Sequence, residues 1–254
     1  QGVDFDDAVS GTGGVIAEGT GATLLTGANT YTGTTVIRTG STLQLGNGGT
    51  SGSLSLSSHI TTDGTFAFNR SDILTQGTHF DAVFGGAGGV AQIGSGTTVL
   101  TGTNYYSGTT AVQNGTLLVN ADQSAATGPV SVAADATFGG TGICGGAAAV
   151  QAGGILSPGQ GGVGALTLAG LTLENGAVYR WDLAATTNDS VLVNGNITLP
   201  TAFTVNVHRL SSSTVMRQKV LFTYCGTYTG PAEATVSTTG DSSTPCRTVH
   251  DADN

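Results

Sequence analysis

The stretch GVIAEGTGATLLTGANTYTGTTVIRTG, residues 14–40, returns as GVAQIGSGTTVLTGTNYYSGTTAVQNG at residues 89–115. At a fixed offset of 75 positions, 14 of the 27 aligned pairs are identical, among them Gly14/Gly89, Leu25/Leu100, Asn29/Asn104, Tyr31/Tyr106 and Thr35/Thr110. A one-residue slip then brings Thr42-Leu43 onto Thr116-Leu117. Composition does not produce that agreement; it is an internal duplication, the sign of stacked supersecondary units. Leu24-Leu25-Thr26, Thr35-Val36-Ile37 and Thr42-Leu43-Gln44-Leu45 are short β-prone runs. Gly27-Ala28-Asn29 and Thr39-Gly40-Ser41 punctuate them with residue types that tolerate positive φ. A strand–turn–strand–turn–strand unit of about 20–25 residues cannot bury its apolar face alone, whereas stacked units share one continuous core. The expected fold is all-β, a right-handed parallel β-helix, or solenoid.

The same rhythm runs through the rest of the chain. Leu54-Ser55-Leu56, Thr65-Phe66-Ala67-Phe68-Asn69, Val130-Ser131-Val132 and Gly164-Ala165-Leu166-Thr167-Leu168 alternate as strands with one buried face do. In Ala177-Val178-Tyr179-Arg180-Trp181-Asp182-Leu183, the residues Tyr179, Trp181 and Leu183 share a face. Val191-Leu192-Val193 and Phe203-Thr204-Val205-Asn206-Val207 complete the series. Only Asn120 to Ala126 offers a turn of helix, weakly capped. The expected division is a β-helix body over residues 1–223, with repeat copies at 14–46 and 89–120, and a polar cap or tail over 224–254.

Composition narrows the function classes. The chain of 254 residues has 42 Gly, 5 Pro and only 9% charged residues, against about 25% in an ordinary soluble domain. A mean hydropathy of +0.14 argues against disorder, which needs low hydrophobicity. The formal charge is −9, with one lysine, Lys219, and scattered arginines. No basic stripe exists to hold phosphates, which excludes nucleic acid and disfavours an anionic membrane surface. No apolar run approaches the roughly 18 residues of a membrane-spanning helix. Gln1-Gly2-Val3-Asp4 lacks the basic and apolar regions of a signal peptide, so an exported protein of this sequence is expected to be a mature segment. Cys225 and Cys246 stand 21 positions apart in the same polar segment, and a disulfide between them is expected. Cys144, within Gly142-Ile143-Cys144-Gly145, reads as a small buried strand residue.

These residues carry a resemblance. LLTGANTYTGTTVIRTGSTLQLG (24–46) and VLTGTNYYSGTTAVQNGTLLVN (99–120) resemble the autotransporter-associated β-strand repeat, also called the passenger-associated transport repeat. Phe68-Asn69-Arg70-Ser71-Asp72 is similar to the segment that often precedes a copy. TFGGTGICGGAAAVQAGGILSPGQ (137–160) is similar to the Gly-rich coil that follows the repeats, and VYRWDL…NDSVLVNGNITL (178–199) to the coil pair near a passenger's C-terminal end. The resemblance implies a β-helix displayed on, or released from, a Gram-negative surface, and no catalytic site. A full autotransporter would add a signal peptide and a C-terminal membrane barrel, the only route by which this reading reaches a membrane. The two tail cysteines fall outside the resemblance.

Gly49-Thr50-Ser51-Gly52-Ser53 is faintly like a serine-protease nucleophile loop, but a triad needs a histidine base and an orienting carboxylate. His59, His79, His208 and His250 have no recognisable framework around them. Asp4-Asp6-Asp7, the one acidic cluster, reads either as a weak calcium site, short of the usual donors, or, in preference, as a solvated terminus. The calcium nonapeptide pattern is absent, since Gly161-Gly162-Val163-Gly164 is followed by no Asp. Asn29/Tyr31 and Asn104/Tyr106 read either as a ladder for stacking sugars or as structural turn residues. Tyr105, whose counterpart is Thr30, is the aromatic expected on the surface and the candidate binding residue. Sequons at Asn69, Asn114, Asn188 and Asn196 carry little weight in a bacterial protein.

The reading is a non-catalytic surface or secreted module, an adhesion or display stalk, with no cofactor, no metal and no catalytic residue. Its partner is expected to be a host-cell surface or extracellular-matrix component, or another copy of itself. The alternatives are a polysaccharide-binding or polysaccharide-processing β-helix and a self-assembling extracellular filament subunit.

Overall fold

The computed structural model describes residues 2–80, 83–210, 220–231, 236–238 and 247–250. Three sheets wrap one core, and no helix occurs among the described residues. The long sheet has 16 strands, the second has seven and the third has five. The long sheet climbs from Val3–Phe5 through Ala22–Leu25, Thr42–Leu45, Thr65–Phe68, Gly89–Gln92, Thr110–Val112, Val130–Val132, Ile143–Val150, Ala165–Leu173 and Ser190–Val193 to Val220–Tyr224. Every pairing along that climb is parallel. Each step is one coil: Thr23 stacks on Leu43, Phe66 on Val90 and Thr110 on Val130. Parallel strands joined by crossovers take the right-handed sense, which gives the solenoid its hand. The architecture is thus the parallel β-solenoid that the sequence rhythm predicts.

Short strands suffice because each coil lends its backbone donors and acceptors to the coils above and below. In Ile155–Pro158 and Val178–Leu183 every second side chain is buried, whereas Thr137–Gly140 is buried throughout. Coils of small residues leave room for aromatic layers. Phe66, Phe68, Phe80, Phe84 and Tyr106 form one such layer, with Phe84 and Tyr106 stacked at 5.5 Å and Phe66 edge-on to Phe84 at 5.7 Å. Tyr179 and Phe222 stack at 4.8 Å nearer the C-terminal end.

The duplication and the coil are out of phase. Ile16 stacks on Val36, Val36 on Thr61 and Thr61 on Gly85, all in the five-stranded sheet. The duplicate of Ile16 is Ala91, six residues past Gly85, and it lies in the long sheet between Ala67 and Ala111. Likewise Ala22–Leu25 belongs to the long sheet and its counterpart Thr97–Leu100 to the seven-stranded one. The two copies therefore keep the same local structure but look out from different faces.

Asn120 to Ala126, the one stretch that offered a weakly capped turn of helix, forms none. Asp122–Gln123 is a short strand paired with Ile143 and Cys144. Gln123 and Ala126 are buried, so stacking on the next coil outweighs a marginal helical turn. The parallel ladder runs on to Tyr228–Thr229, which pairs with Ile197 and Thr198. Beyond it the mode changes, with Arg247–His250 running antiparallel to both Val220–Tyr224 and Val236–Thr238.

Candidate binding face

The duplicated polar residues point inward. Asn29 Oδ1 accepts the Val9 N–H at 2.9 Å, and its Nδ2 donates to the carbonyls of Gly27 at 3.0 Å and Ser53 at 2.9 Å. One side chain thus ties together three successive coils. Asn104 joins its coil to the preceding one: its Oδ1 accepts from Gln76 Nε2 at 2.8 Å and from the Phe84 N–H at 3.1 Å. Tyr31 shares a hydrogen bond of 2.6 Å with Thr35, which is bonded in turn to Ser58, and Tyr106 repeats the contact with Thr110 at 2.7 Å. Burial pushes both phenols above the ordinary tyrosine range. Of the two readings open for Asn29/Tyr31 and Asn104/Tyr106, the structural one holds, since no ligand reaches buried side chains.

Tyr105 is different. It is 49% exposed and sits on the outer face of the five-stranded sheet, in register with Gly85. Its ring occupies the space above that glycine: a Cβ at Gly85 would overlap Cδ2, Cε2 and Cζ of Tyr105. Gly85 is the seat of the ring, which keeps its other side to solvent. Below it on the same outward column stand Thr61, Val36 and Ile16, the last 55% exposed. The column is flanked by the exposed Glu18–Arg38 ion pair at 3.4 Å and by Asp63, whose carboxylate accepts the Ala87 N–H. The result is a flat, nearly charge-free strip ending in an aromatic platform. The sequence pointed to Tyr105; it gave no signal for Gly85, which lies 20 residues upstream and meets the ring only through stacking.

The remaining candidates do not converge. Ser51 is exposed in the 46–52 loop, and Asp72 is committed to Arg70, whose Nε donates to Asp72 Oδ1 at 2.8 Å. That hydrogen bond holds the Asp72 carboxyl below the usual range. The buried Arg70 also donates to the Gly52 carbonyl at 2.8 Å, so the pair anchors the loop. Asp72 is thus part of a loop anchor. His59 is exposed, His79 Nδ1 accepts the Thr75 N–H at 3.0 Å, and His208 meets Asp182 at 3.0 Å on the outer face of the seven-stranded sheet. Asp4 and Asp7 are exposed, and Asp6 accepts from the Thr26 hydroxyl at 3.2 Å. Among the described residues no group of three or more His, Cys, Asp or Glu side chains is placed to hold a metal ion. Cys144 is a buried free thiol whose pKa burial raises. Cys225 follows the strand Val220–Tyr224, whereas Cys246 lies outside the described residues.

One buried carboxylate escaped the sequence reading. Asp189 is 1% exposed; its two oxygens accept the N–H groups of Gly164 at 2.7 Å and Asp182 at 2.8 Å. Its own carbonyl accepts the Trp181 indole N–H at 2.8 Å. Burial pushes its pKa up to about 6 against the pull of those two donors, with the Asp182 charge adding to the rise. Asp189 thereby fastens the Ala165–Leu173 and Val178–Leu183 coils to the turn between Leu183 and Ser190.

Comparison with known proteins agrees with this geometry. The passenger-associated transport repeat family matches residues 15–45 and 90–119, the two copies of the duplication. Over 93 residues the chain is 48% identical to an adhesin, the BmaC autotransporter of Brucella suis biovar 1 (strain 1330). The aligned part is 37% of this chain and 3% of that much longer protein.

Proposed function

We propose that this chain, an autotransporter passenger segment by its two transport repeats, is a non-catalytic adhesive module of the bacterial surface. The observation that carries the reading is the division of labour among its residues. The duplicated Asn and Tyr are spent on the stack, and the half-exposed Tyr105 is held over Gly85 on an open face. Short turns build few concave sites, so the broad faces of a solenoid are the surface it has to offer. The strip from Ile16 to Tyr105 is the face assigned to the partner, a host-cell surface or extracellular-matrix component. The relative's name supports adhesion, and its far greater length supports a role for this segment as one part of a longer stalk. The test is a pull-down of the purified chain against host-surface and matrix components, run beside a peptide and polysaccharide turnover panel. Retention of a component without turnover supports the module; turnover abolished by a single alanine substitution would establish a catalytic site instead.

Self-association is the second reading, and the N-terminal end of the solenoid favours it. Val3, Phe5 and Ile16 are exposed there around a cavity of about 400 Å³ that Val9, Val15 and Leu25 also line. Concentration-dependent mass in light scattering distinguishes this reading from the first.

A further inference from the structure

The second repeat copy departs from the first at one coil corner, where Asn114-Gly115 replaces Thr39-Gly40. We propose that Asn114 is a self-modification site, at which water converts the side-chain amide to aspartate and isoaspartate through a cyclic imide closed by the Gly115 nitrogen. Asn114 is exposed, and the Gly115 N–H donates to Asn114 Oδ1 at 2.8 Å. The nucleophilic nitrogen therefore rests beside the carbonyl carbon it attacks, with its N–H turned to the Asn114 side chain instead of to a neighbouring coil. The chain supplies its own controls. At Asn47-Gly48 the glycine N–H donates to the Asn69 carbonyl at 2.7 Å, and at Asn175-Gly176 it donates to the Ala202 carbonyl at 3.2 Å. Both of those nitrogens are held away from the preceding side chain. Neither arrangement is seen at Asn194-Gly195 among the described residues. Gly115 cannot swing out of position: its φ is 59°, and a Cβ there would overlap the carbonyl oxygens of Gly94 and Gly96. Backbone so confined holds the reacting atoms together, the condition under which an intramolecular attack gains most.

The step balances with water as the co-reactant. Gly115 nitrogen loses its proton to hydroxide and forms a bond to Asn114 Cγ. The Cγ–Nδ2 bond then breaks, and the nitrogen leaves as ammonia after taking a proton from water. Water next opens the imide. Cleavage at the side-chain carbonyl gives aspartate with the original main chain. Cleavage at the main-chain carbonyl gives isoaspartate, whose backbone is one methylene longer. Either product adds one negative charge to a chain whose formal charge is −9. The extra methylene falls between Thr110–Val112 and Thr116–Val119, at a corner wedged against the coil below. The surface of the second copy thus changes charge and local fit with age, and the first copy, with Thr39, does not.

The folded chain is incubated in mildly alkaline buffer made with heavy-oxygen water, then digested and mapped by mass spectrometry. The Asn114 peptide is expected to gain the acid mass and one heavy oxygen at least about tenfold faster than the Asn47 and Asn175 peptides, the advantage that fixed orientation provides. In urea the three rates converge. Asn114→Gln abolishes labelling at that peptide and leaves the others unchanged. A folded chain in which Asn114 reacts no faster than Asn47 and Asn175, or a ranking that persists unaltered in urea, overturns the proposal.

Discussion

Replacing Asn29 is the sharpest perturbation of the stack. Its amide accepts from Val9 N at 2.9 Å and donates to the carbonyls of Gly27 and Ser53 at 3.0 and 2.9 Å. The two carbonyls keep other donors, since Ser53 N–H bonds Gly27 and Asn29 N–H bonds Ser53. The Val9 N–H has no such second partner among its described contacts, so Asn29→Ala orphans one donor and removes two supporting bonds. An orphaned donor costs about 1–3 kcal/mol and each lost bond about 1, giving roughly 2–3 kcal/mol once rehydration of the partly exposed Val9 is allowed for. Asn29→Asp is worse, because a carboxylate oxygen then faces two carbonyl oxygens and a charge is buried without a cation. Urea denaturation of the three proteins, followed by circular dichroism and by hydrogen exchange at Val9 and Ser53, reads the effect. The expected order of stability is parent, Asn29→Ala, Asn29→Asp, with exchange accelerating first in the coils that Asn29 joins. If both variants stay within about 0.5 kcal/mol of the parent, as ordinary surface changes do, the coil-tying role of the repeat asparagine is refuted.

Three further outcomes follow from named contacts. Gly85→Ala displaces the Tyr105 ring and costs about 1–3 kcal/mol as an overpacking change, but much less in a Tyr105→Ala background; additivity in that double-mutant cycle would remove the seat. Asp189, raised to about 6 in the folded chain from 3.8, binds its proton more tightly when native. Stability contributed by that group therefore falls as pH rises from about 4 to about 6, by at most about 3 kcal/mol, and is level above. Subtracting the pH–stability curve of Asp189→Asn isolates the slope, and two parallel curves would contradict it. We also propose that Cys225 and Cys246 are oxidised to each other in protein from an oxidising compartment, adding about 3 kcal/mol by loop closure. Non-reducing peptide mapping should find that pair and leave Cys144 as a thiol slow to alkylate; a bridge to Cys144 would reverse the assignment.

What the sequence disclosed and what it hid divide along a physical line. Strand rhythm, turn glycines and a duplication are local, and they sufficed for the solenoid and for Cys144 as a small buried residue. Facts set by stacking were hidden, because partners lie about one coil apart at spacings that vary. Thr61 to Gly85 is 24 residues but Gly85 to Tyr105 is 20, so the seat of the tyrosine was invisible. The same unevenness hid the rotation of the copies, since a period of 75 matches no whole number of such coils. Side-chain direction was ambiguous as well. Tyr31 and Tyr106 were open to two readings, and only the core decides that both are buried. The Arg70–Asp72 anchor was within reach: opposite charges two residues apart in an extended segment share a side. Asp189 was not, because its donors come from Gly164 and from Asp182 across a turn.

Partner binding falls on the outer face of the five-stranded sheet, away from the exposed Ser51 and His59. The direct test is affinity for whichever host-surface or matrix component the pull-down retains, measured for the parent, Tyr105→Ala, Ser51→Ala and His59→Ala. The account predicts that Tyr105→Ala weakens binding about tenfold or more, as loss of an exposed aromatic anchor does, and that Ser51→Ala and His59→Ala stay within about twofold. Full affinity in Tyr105→Ala together with a large loss in Ser51→Ala or His59→Ala would contradict it.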